Sequence, residues 1–153
     1  FSVFLFDADG RVLIQERAAG KMLWPGDWSN SCCSHPRPGE ATEAAARRRV
    51  REELQLDCRL DFLYKFRYQA AFGSIGSEHE LCYVYAGYAT GKISTDPLEI
   101  AAIRWLTPDE LGREIAAEPE RFSPWMKLEW QQITASHLEQ ILDRCRKPDT
   151  WRT

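Results

Sequence analysis

The sequence predicts a single domain, residues 1–153, of the mixed α/β (α+β) class, in which a mixed β-sheet is sandwiched between helices. Strand-like stretches dominate the first third of the chain. One alanine-rich helical stretch lies between the strands, and two further helical stretches follow the last strand. At 153 residues the chain is long enough to bury a sizeable core in one domain.

Composition excludes some classes of function. Hydrophobic residues make up 44% of the chain and charged residues 28%, as in ordinary globular proteins. With 20 basic and 23 acidic side chains, the net charge of −3 argues against a general nucleic-acid or membrane-surface binder. No apolar run approaches the roughly 18 residues of a membrane span. The opening FSVFLF stops at Asp7, too early for a signal peptide.

The five cysteines favour free thiols. Their number is odd, their spacing is irregular and no CxxC occurs, so a zinc ribbon has no support. The neighbours Cys32 and Cys33 are poor candidates for a disulfide with each other, because that geometry is strained. We therefore expect no disulfide and a reducing, cytoplasmic location.

The first third of the chain predicts a hairpin, a loop and a helix. SVFLF and RVLIQER flank DADG, whose Asp-Gly end is typical of a hairpin turn. The stretch KMLWPGDWSN follows as a loop rich in Trp, Pro and Gly, and leads into an extended piece at 28–33. From about residue 40 to 54 the sequence is alanine-rich and free of Gly and Pro, which predicts a helix.

The remaining elements follow from alternation and from capping residues. Residues 58–70 and 78–89 alternate as strands around the turn-like FGSIGS, and 100–106 is a further strand. Thr107-Pro108-Asp109-Glu110 is a capping box with proline at the first helical position, so a helix begins there. Ser123-Pro124 repeats this N-cap pattern and predicts a last helix to about Cys145.

Glu78 and Glu80 are the first candidates for chemistry. Side chains alternate along a strand, so these two carboxylates project together while His79 points away. Such a pair suits a divalent metal or an acid–base group beside one. A polar face on an edge strand is the plainer alternative.

Charged residues on and before the helix form a second set of candidates. The spacing pairs Arg48 with Glu52 and Arg49 with Glu53. A solvated, salt-bridged face explains these pairs, and so does a magnesium ligand at Glu53 beside a phosphate-binding Arg49.

Arg17 and Lys21 follow a predicted strand and are either scattered surface charge or a clamp for a diphosphate. Tyr68 and Trp125, taken alone, are most simply core or surface aromatics. His137, Cys58 and Cys145 are interpreted as structural or incidental.

Six stretches together resemble the type I isopentenyl-diphosphate Δ-isomerases of the Nudix superfamily. They are QERAAGK (15–21), WPGDWSNSCCSHP (24–36), RRRVREEL (47–54), FRYQA (66–70), EHEL (78–81) and FSPWM (122–126). The resemblance covers residues 1 to about 132, and it implies a Nudix-type fold and this isomerase activity.

The helix departs from the general Nudix pattern in an informative way. Arg49 stands where that pattern has a glutamate, Gln55 replaces a glycine, and Ser34 replaces another. Exchanging a metal-binding glutamate for Arg49 favours binding a diphosphate over hydrolysing it. Two alternatives stay open: a Nudix hydrolase of a nucleoside diphosphate derivative, and a non-catalytic diphosphate-binding module.

The resemblance implies catalytic roles for four residues. Cys33 and Glu80 would share the proton transfers that interconvert isopentenyl and dimethylallyl diphosphate, Tyr68 would support the proton path, and Trp125 would face the carbocation. In NSCCSHPRPGE, Cys33 is then the reactive thiol while Cys32 points elsewhere.

It also implies how substrate and metals bind. Arg17, Lys21 and Arg49 would neutralise the diphosphate, with Mg²⁺ held by Glu53. His35, Glu78 and Glu80 would ligate a second divalent ion, Zn²⁺ or Mn²⁺. Two more histidine ligands and a phosphate-side lysine belong in this family to a segment before the first hairpin, so we expect a longer natural chain. The expected partner is a small-molecule diphosphate, and the expected state is a monomer.

Overall fold

The computed structural model describes residues 1–151 of the 153-residue chain. Seven strands and four helices follow one another along it. The strands are β1 (Ser2–Phe6), β2 (Val12–Arg17), β3 (Trp28–Ser29), β4 (Cys32–Cys33), β5 (Leu60–Phe72), β6 (Gly76–Tyr88) and β7 (Ile100–Leu106). The helices are α1 (Thr42–Leu54), α2 (Pro108–Ala117), α3 (Pro124–Ser136) and α4 (Leu138–Cys145), with short 3-10 turns at Pro119–Arg121 and Pro148–Trp151.

All seven strands form one mixed sheet. Its main path runs β3-β2-β1-β6-β5, with β4 paired to β1 and β7 paired to β2. β1 and β6 are parallel, whereas β5 and β6 form a long antiparallel hairpin. The sheet therefore brings β4, the start of β1 and the middle of β6 side by side, and the site lies there.

Helices cover both faces of this sheet, which explains why β1 is apolar from Val3 to Phe6. Val3 and Leu5 pack on one face against α1, together with Ala46 and Val50. Phe4 and Phe6 pack on the opposite face, in a core that includes side chains from α3 such as Met126, Trp130 and Ile133. A strand with two buried faces carries a continuous apolar run instead of an alternating one.

The predicted fold class and most predicted elements are confirmed. The helix predicted for 40–54 begins two residues later, and the extended piece at 28–33 is resolved into the two short strands β3 and β4. The capping box is present: the Thr107 hydroxyl accepts from the Glu110 backbone N–H at 3.3 Å, and the Glu110 carboxylate accepts from the Thr107 backbone N–H at 2.8 Å.

Two details of the last helix are wrong in the sequence-based prediction. It is interrupted at His137, whose backbone (φ −129°, ψ −23°) separates α3 from α4. Ser123 precedes α3 as predicted, but its hydroxyl pairs with the Ser29 hydroxyl at 2.9 Å and does not cap the helix. Both differences arise from contacts with distant segments. No helix within residues 1–151 has the length and apolar character needed to cross a membrane.

Candidate active site

Eight of the ten predicted site residues line one pocket of about 130 Å³. These are Arg17, Lys21, Cys33, His35, Tyr68, Glu78, Glu80 and Trp125. They come from β2 and the loop after it, from β4 and the loop after it, from β5 and β6, and from the start of α3. Arg49 and Glu53 lie outside this lining, in a charged network that Lys21 joins to it.

Cys33 lies on β4 with the Arg17 guanidinium beside it. Arg17 Nη1 is 3.9 Å from Cys33 Sγ, while Arg17 Nε and Nη2 donate to the carbonyls of Trp24 and Leu23 at 2.9 and 2.8 Å. Burial raises the pKa of Cys33 to about 11, although the positive charge of Arg17 opposes the shift. The adjacent Cys32 packs in the other core, so the two thiols face opposite sides of the strand. All five cysteines are free thiols, as predicted.

The two carboxylates of β6 share one hydroxyl. Tyr68 lies opposite Glu80 in the β5–β6 ladder, and its hydroxyl donates to Glu78 at 2.7 Å and to Glu80 at 3.2 Å. His79 points away and is exposed. The period-2 prediction for Glu78 and Glu80 is therefore confirmed as geometry.

His35 completes this group from the far side of the pocket. Its Nε2 lies 2.5 Å from Glu80 Oε1, and this hydrogen bond raises the pKa of His35 against the effect of burial. Burial opposes ionisation of Glu80, but the hydrogen bonds from His35 and Tyr68 outweigh it and lower the pKa of Glu80. Burial and, after it, the neighbouring carboxylates hold the pKa of Tyr68 far above its usual range. Cys33 and Glu80 are thus shifted in opposite directions within one pocket.

Trp125 is held in the pocket wall by a buried amide. Its indole Nε1 donates to Asn30 Oδ1 at 3.0 Å, and the Asn30 amide donates to the Cys32 carbonyl at 2.7 Å. The Trp24 ring packs edge-on against Trp125 at 5.3 Å. Trp24 has a positive φ of 48°, which is uncommon for a bulky residue and is typical of functional regions. Sequence reasoning did not single out Asn30 or Trp24.

The predicted pair Arg49–Glu53 forms a separate layer beneath Lys21. Arg49 Nη2 lies 2.5 Å from Glu53 Oε1 and 3.0 Å from Glu99 Oε1, and Lys21 Nζ also bonds Glu99. Glu53 is buried, which raises its pKa in spite of Arg49. Glu99 has no motif around it in the sequence, and its partners are far away along the chain.

A buried carboxyl, Glu129, lies behind the pocket and was also missed. It is fully buried on α3, one helical turn after Trp125, and Cys82 Sγ donates to its Oε1 at 3.5 Å. Burial raises the pKa of Glu129 to about 8. A pattern was available: residues 125, 129 and 133 share one helix face, and only the middle one is charged.

The donor chemistry of the pocket fits a divalent metal, but no coordination cluster is assembled. One imidazole and two carboxylates are ligand types that zinc and manganese take. Within residues 1–151, however, no three His, Cys, Asp or Glu side chains are grouped closely enough to hold an ion. His35 and Glu80 instead bond each other, and Tyr68 bonds both carboxylates.

Comparison with known proteins shows a family. Residues 1–126 match the NUDIX domain. An isopentenyl-diphosphate Delta-isomerase of Nocardia farcinica is 46% identical over 127 residues, which is 82% of this chain and 73% of that protein. An isopentenyl-diphosphate Delta-isomerase 1 of Photorhabdus laumondii is 38% identical over 143 residues, 92% of this chain and 81% of that protein.

The fold is shared with solved structures of lower identity. The crystal structure of a MutT NUDIX hydrolase from Burkholderia pseudomallei superposes with a TM-score of 0.65, covering 86% of this chain and 97% of that one, at 22% identity. At that identity the likeness concerns the fold alone.

Proposed function

The chain belongs to the NUDIX domain family and, within it, to the isopentenyl-diphosphate Delta-isomerases, and on that premise we propose which of its residues carry out the isomerisation. The enzyme interconverts isopentenyl diphosphate and dimethylallyl diphosphate, a step of isoprenoid biosynthesis. The reaction moves one double bond: a proton is added at the terminal alkene carbon, and another leaves C2.

The observation that carries the assignment is the meeting of Cys33, Glu80 and Trp125 in one small pocket. Burial keeps the proton on the Cys33 thiol, and hydrogen bonds keep Glu80 ionised. The pair therefore carries one proton at neutral pH, and a proton shift needs one donor and one acceptor. Cys33 and Glu80 share the two transfers on opposite sides of the substrate.

Tyr68 and Trp125 assist these transfers. The Tyr68 hydroxyl holds Glu80 in place and supports the proton path through its hydrogen bond. Protonation of the alkene produces positive charge at a tertiary carbon, and the indole face of Trp125 stabilises such a cation by about 2 kcal/mol when water is excluded. The buried amide of Asn30 fixes the indole in the pocket wall.

Arg17, Lys21 and Arg49 are proposed to neutralise the diphosphate. A guanidinium binds phosphate oxygens with two parallel hydrogen bonds, whereas Lys21 acts as a mobile point charge. Arg17 donates to two carbonyls, approaches the Cys33 thiol and lines the pocket, so its positive charge lies where an anion would bind.

Proteins of this family depend on divalent metal ions. We propose Glu53 as the ligand for Mg²⁺ bound with the substrate, and His35, Glu78 and Glu80 as ligands for a second ion, Zn²⁺ or Mn²⁺. When bound, such ions neutralise phosphate charge and tune the acidity of Glu80. The donor types fit, since each of these side chains offers a nitrogen or carboxylate oxygen at the pocket or beside it.

We further propose that the enzyme acts as a monomer in the cytoplasm, with no nucleic-acid or membrane partner. The support is its five free thiols and its near-balanced charge. A small-molecule diphosphate is the partner that the family's activity requires.

Nuclear magnetic resonance in D₂O tests the assignment. Purified protein with Mg²⁺ and isopentenyl diphosphate is expected to yield deuterated dimethylallyl diphosphate, and Cys33→Ala and Glu80→Gln are each expected to lower the rate by at least about a thousandfold. Cys32→Ala is the matched control, because Cys32 is a neighbouring thiol that faces the other core. Equal loss in the Cys32 variant, with unchanged melting temperature, contradicts the role of Cys33, and release of phosphate indicates a hydrolase.

A further inference from the structure

Glu99 connects two of the three predicted phosphate-binding cations, Lys21 and Arg49. One of its carboxylate oxygens bonds Lys21 Nζ, and the other lies 3.0 Å from Arg49 Nη2. Lys21 belongs to the loop after β2, whereas Arg49 belongs to α1. The pKa of Glu99 is lowered against the effect of partial burial because both cations favour its charged form. A single carboxylate thus engages two of the three cations proposed to bind the diphosphate.

The backbone around Glu99 is fixed in place. The Ala18 N–H donates to the Glu99 carbonyl at 3.0 Å, which ties this residue to the end of β2. The Asp96 N–H donates to the Glu53 carbonyl at 2.9 Å, and the Ser94 N–H donates to the Leu54 carbonyl at 3.2 Å. The segment before β7 is therefore attached to the last turn of α1. The placement of Glu99 is a property of the folded chain and not of a loosely held loop.

Charge is already balanced in this layer. Two cations, Lys21 and Arg49, face the two carboxylates of Glu53 and Glu99. Glu52 also bonds Arg49, but its charge is balanced by Arg48, whose Nη1 lies 3.1 Å from Glu52 Oε2. No positive charge is left over there for a free diphosphate, which carries several negative charges of its own. A diphosphate that arrives with a divalent cation brings the missing positive charge, and the carboxylates then attract the complex instead of repelling it.

We propose that Glu99 makes the site selective for the metal complex of a diphosphate over the metal-free diphosphate, by occupying Lys21 and Arg49 until that complex binds. The inference rests on the proposed function of Lys21 and Arg49 and extends it, since it assigns a specificity role to a third residue. Glu99 acts through the two cations and is not a proton-transfer group.

Calorimetric titration with inorganic pyrophosphate tests this role. The dissociation constant of pyrophosphate is measured in EDTA and again in Mg²⁺. The value in EDTA divided by the value in Mg²⁺ is the ratio that reports the preference for the metal complex. Glu99→Gln keeps the side-chain shape and removes the charge. We expect this variant to bind pyrophosphate at least about fivefold tighter than the wild type in EDTA. In Mg²⁺ its dissociation constant is expected to differ from the wild-type value by less than about twofold, so that the ratio falls.

Two further variants separate charge from structure. Glu52→Gln is the matched control: it removes a carboxylate that bonds Arg49 at 3.0 Å but does not contact Lys21, and its ratio is expected to stay within about twofold of the wild-type value. Glu99→Asp keeps the charge and is expected to keep the wild-type ratio. A ratio unchanged in Glu99→Gln, or lowered as much in Glu99→Asp, overturns the proposal.

The isomerase assay keeps this inference distinct from the proposed function. Conversion of isopentenyl diphosphate by the wild-type protein, together with an unchanged pyrophosphate ratio in Glu99→Gln, refutes the role of Glu99 alone. Absence of conversion refutes the proposed function, whereas a lowered ratio in Glu99→Gln still supports the role of Glu99 in diphosphate selection.

Discussion

Single side chains in this protein have roles that depend on what surrounds them. Arg17 donates to the carbonyls of Trp24 and Leu23, approaches Cys33 and lies 5.2 Å from the Trp125 ring. Only a planar, forked cation can make these contacts together, so lysine is not an equivalent replacement. Glu129, unlike Arg17, is an ionisable side chain buried where its charged form is unfavourable. Its Oε2 atom is buried and has no hydrogen-bond partner within residues 1–151.

The burial of Glu129 predicts a pH-dependent stability. Its pKa is raised from 4.5 to about 8, so between these values the folded state holds a proton that the unfolded chain has released. The free energy of unfolding is therefore expected to fall as pH rises from 5 to 8, by on the order of a few kcal/mol, and this loss is expected to be absent in Glu129→Gln. Urea unfolding at several pH values measures it. The exposed Glu139→Gln is the control, and an equal slope in wild type and Glu129→Gln contradicts the prediction.

The secondary-structure elements follow local patterns except where distant contacts intervene. No Gly or Pro marks the helix break at His137 in the sequence. The His137 ring stacks on Tyr64 of β5, with 5.2 Å between the ring centroids. After the break, Ile141 and Cys145 of α4 pack into the core. Gln55 ends α1 in the left-handed conformation, with φ of 53°, where the Nudix pattern has a glycine. Capping at Thr107 was predictable because both partners lie within four residues.

Two glycines within elements are expected to respond oppositely to alanine. A Cβ at Gly87 on β6 would lie 2.7 Å from Leu60 Cδ2 and 3.1 Å from the Arg59 carbonyl oxygen. Gly87→Ala is therefore expected to lower the free energy of unfolding by about 1–3 kcal/mol. A Cβ at Gly112 in α2 would have nothing within 4 Å. Gly112→Ala is therefore expected to raise the free energy of unfolding by about 0.5–1 kcal/mol, because alanine has the higher helix propensity. Thermal denaturation of both variants measures the difference. Destabilisation by Gly112→Ala, or none by Gly87→Ala, would show that the packing is not as described.

The molecule as a whole consists of two hydrophobic clusters on one shared sheet. β1 contributes Val3 and Leu5 to one cluster and Phe4 and Phe6 to the other. Every strand except the short β3 contributes to both clusters, so loss of either cluster exposes the sheet that supports both. The pocket lies where the sheet, β4 and the start of α3 meet, and it depends on both clusters.

This arrangement predicts that residues 1–151 unfold in one transition. Trp24, Trp28, Trp125, Trp130 and Trp151 belong to the α3-side cluster, whereas Trp105 packs against the α1-side cluster. The fluorescence of a Trp105→Phe variant therefore reports one cluster, and far-ultraviolet circular dichroism reports the whole fold. We expect the two midpoints to agree within about 1 °C. Loss of ellipticity before the fluorescence changes would indicate that α1 and its cluster unfold separately.

The sequence by itself determined most element types, the fold class, the family and several relationships between residues that are close along the chain. Glu78 with Glu80, Arg49 with Glu53 and Thr107 with Glu110 were predictable because strand alternation and the helical turn fix their geometry locally. Only the tertiary structure decided which distant groups meet: Glu99 with Lys21, Asn30 with Trp125, His35 with Glu80, and Glu129 with Cys82. The physical reason is that such contacts are set by sheet order and by the packing of helices on two faces, and neither leaves a repeating pattern in the sequence around those residues.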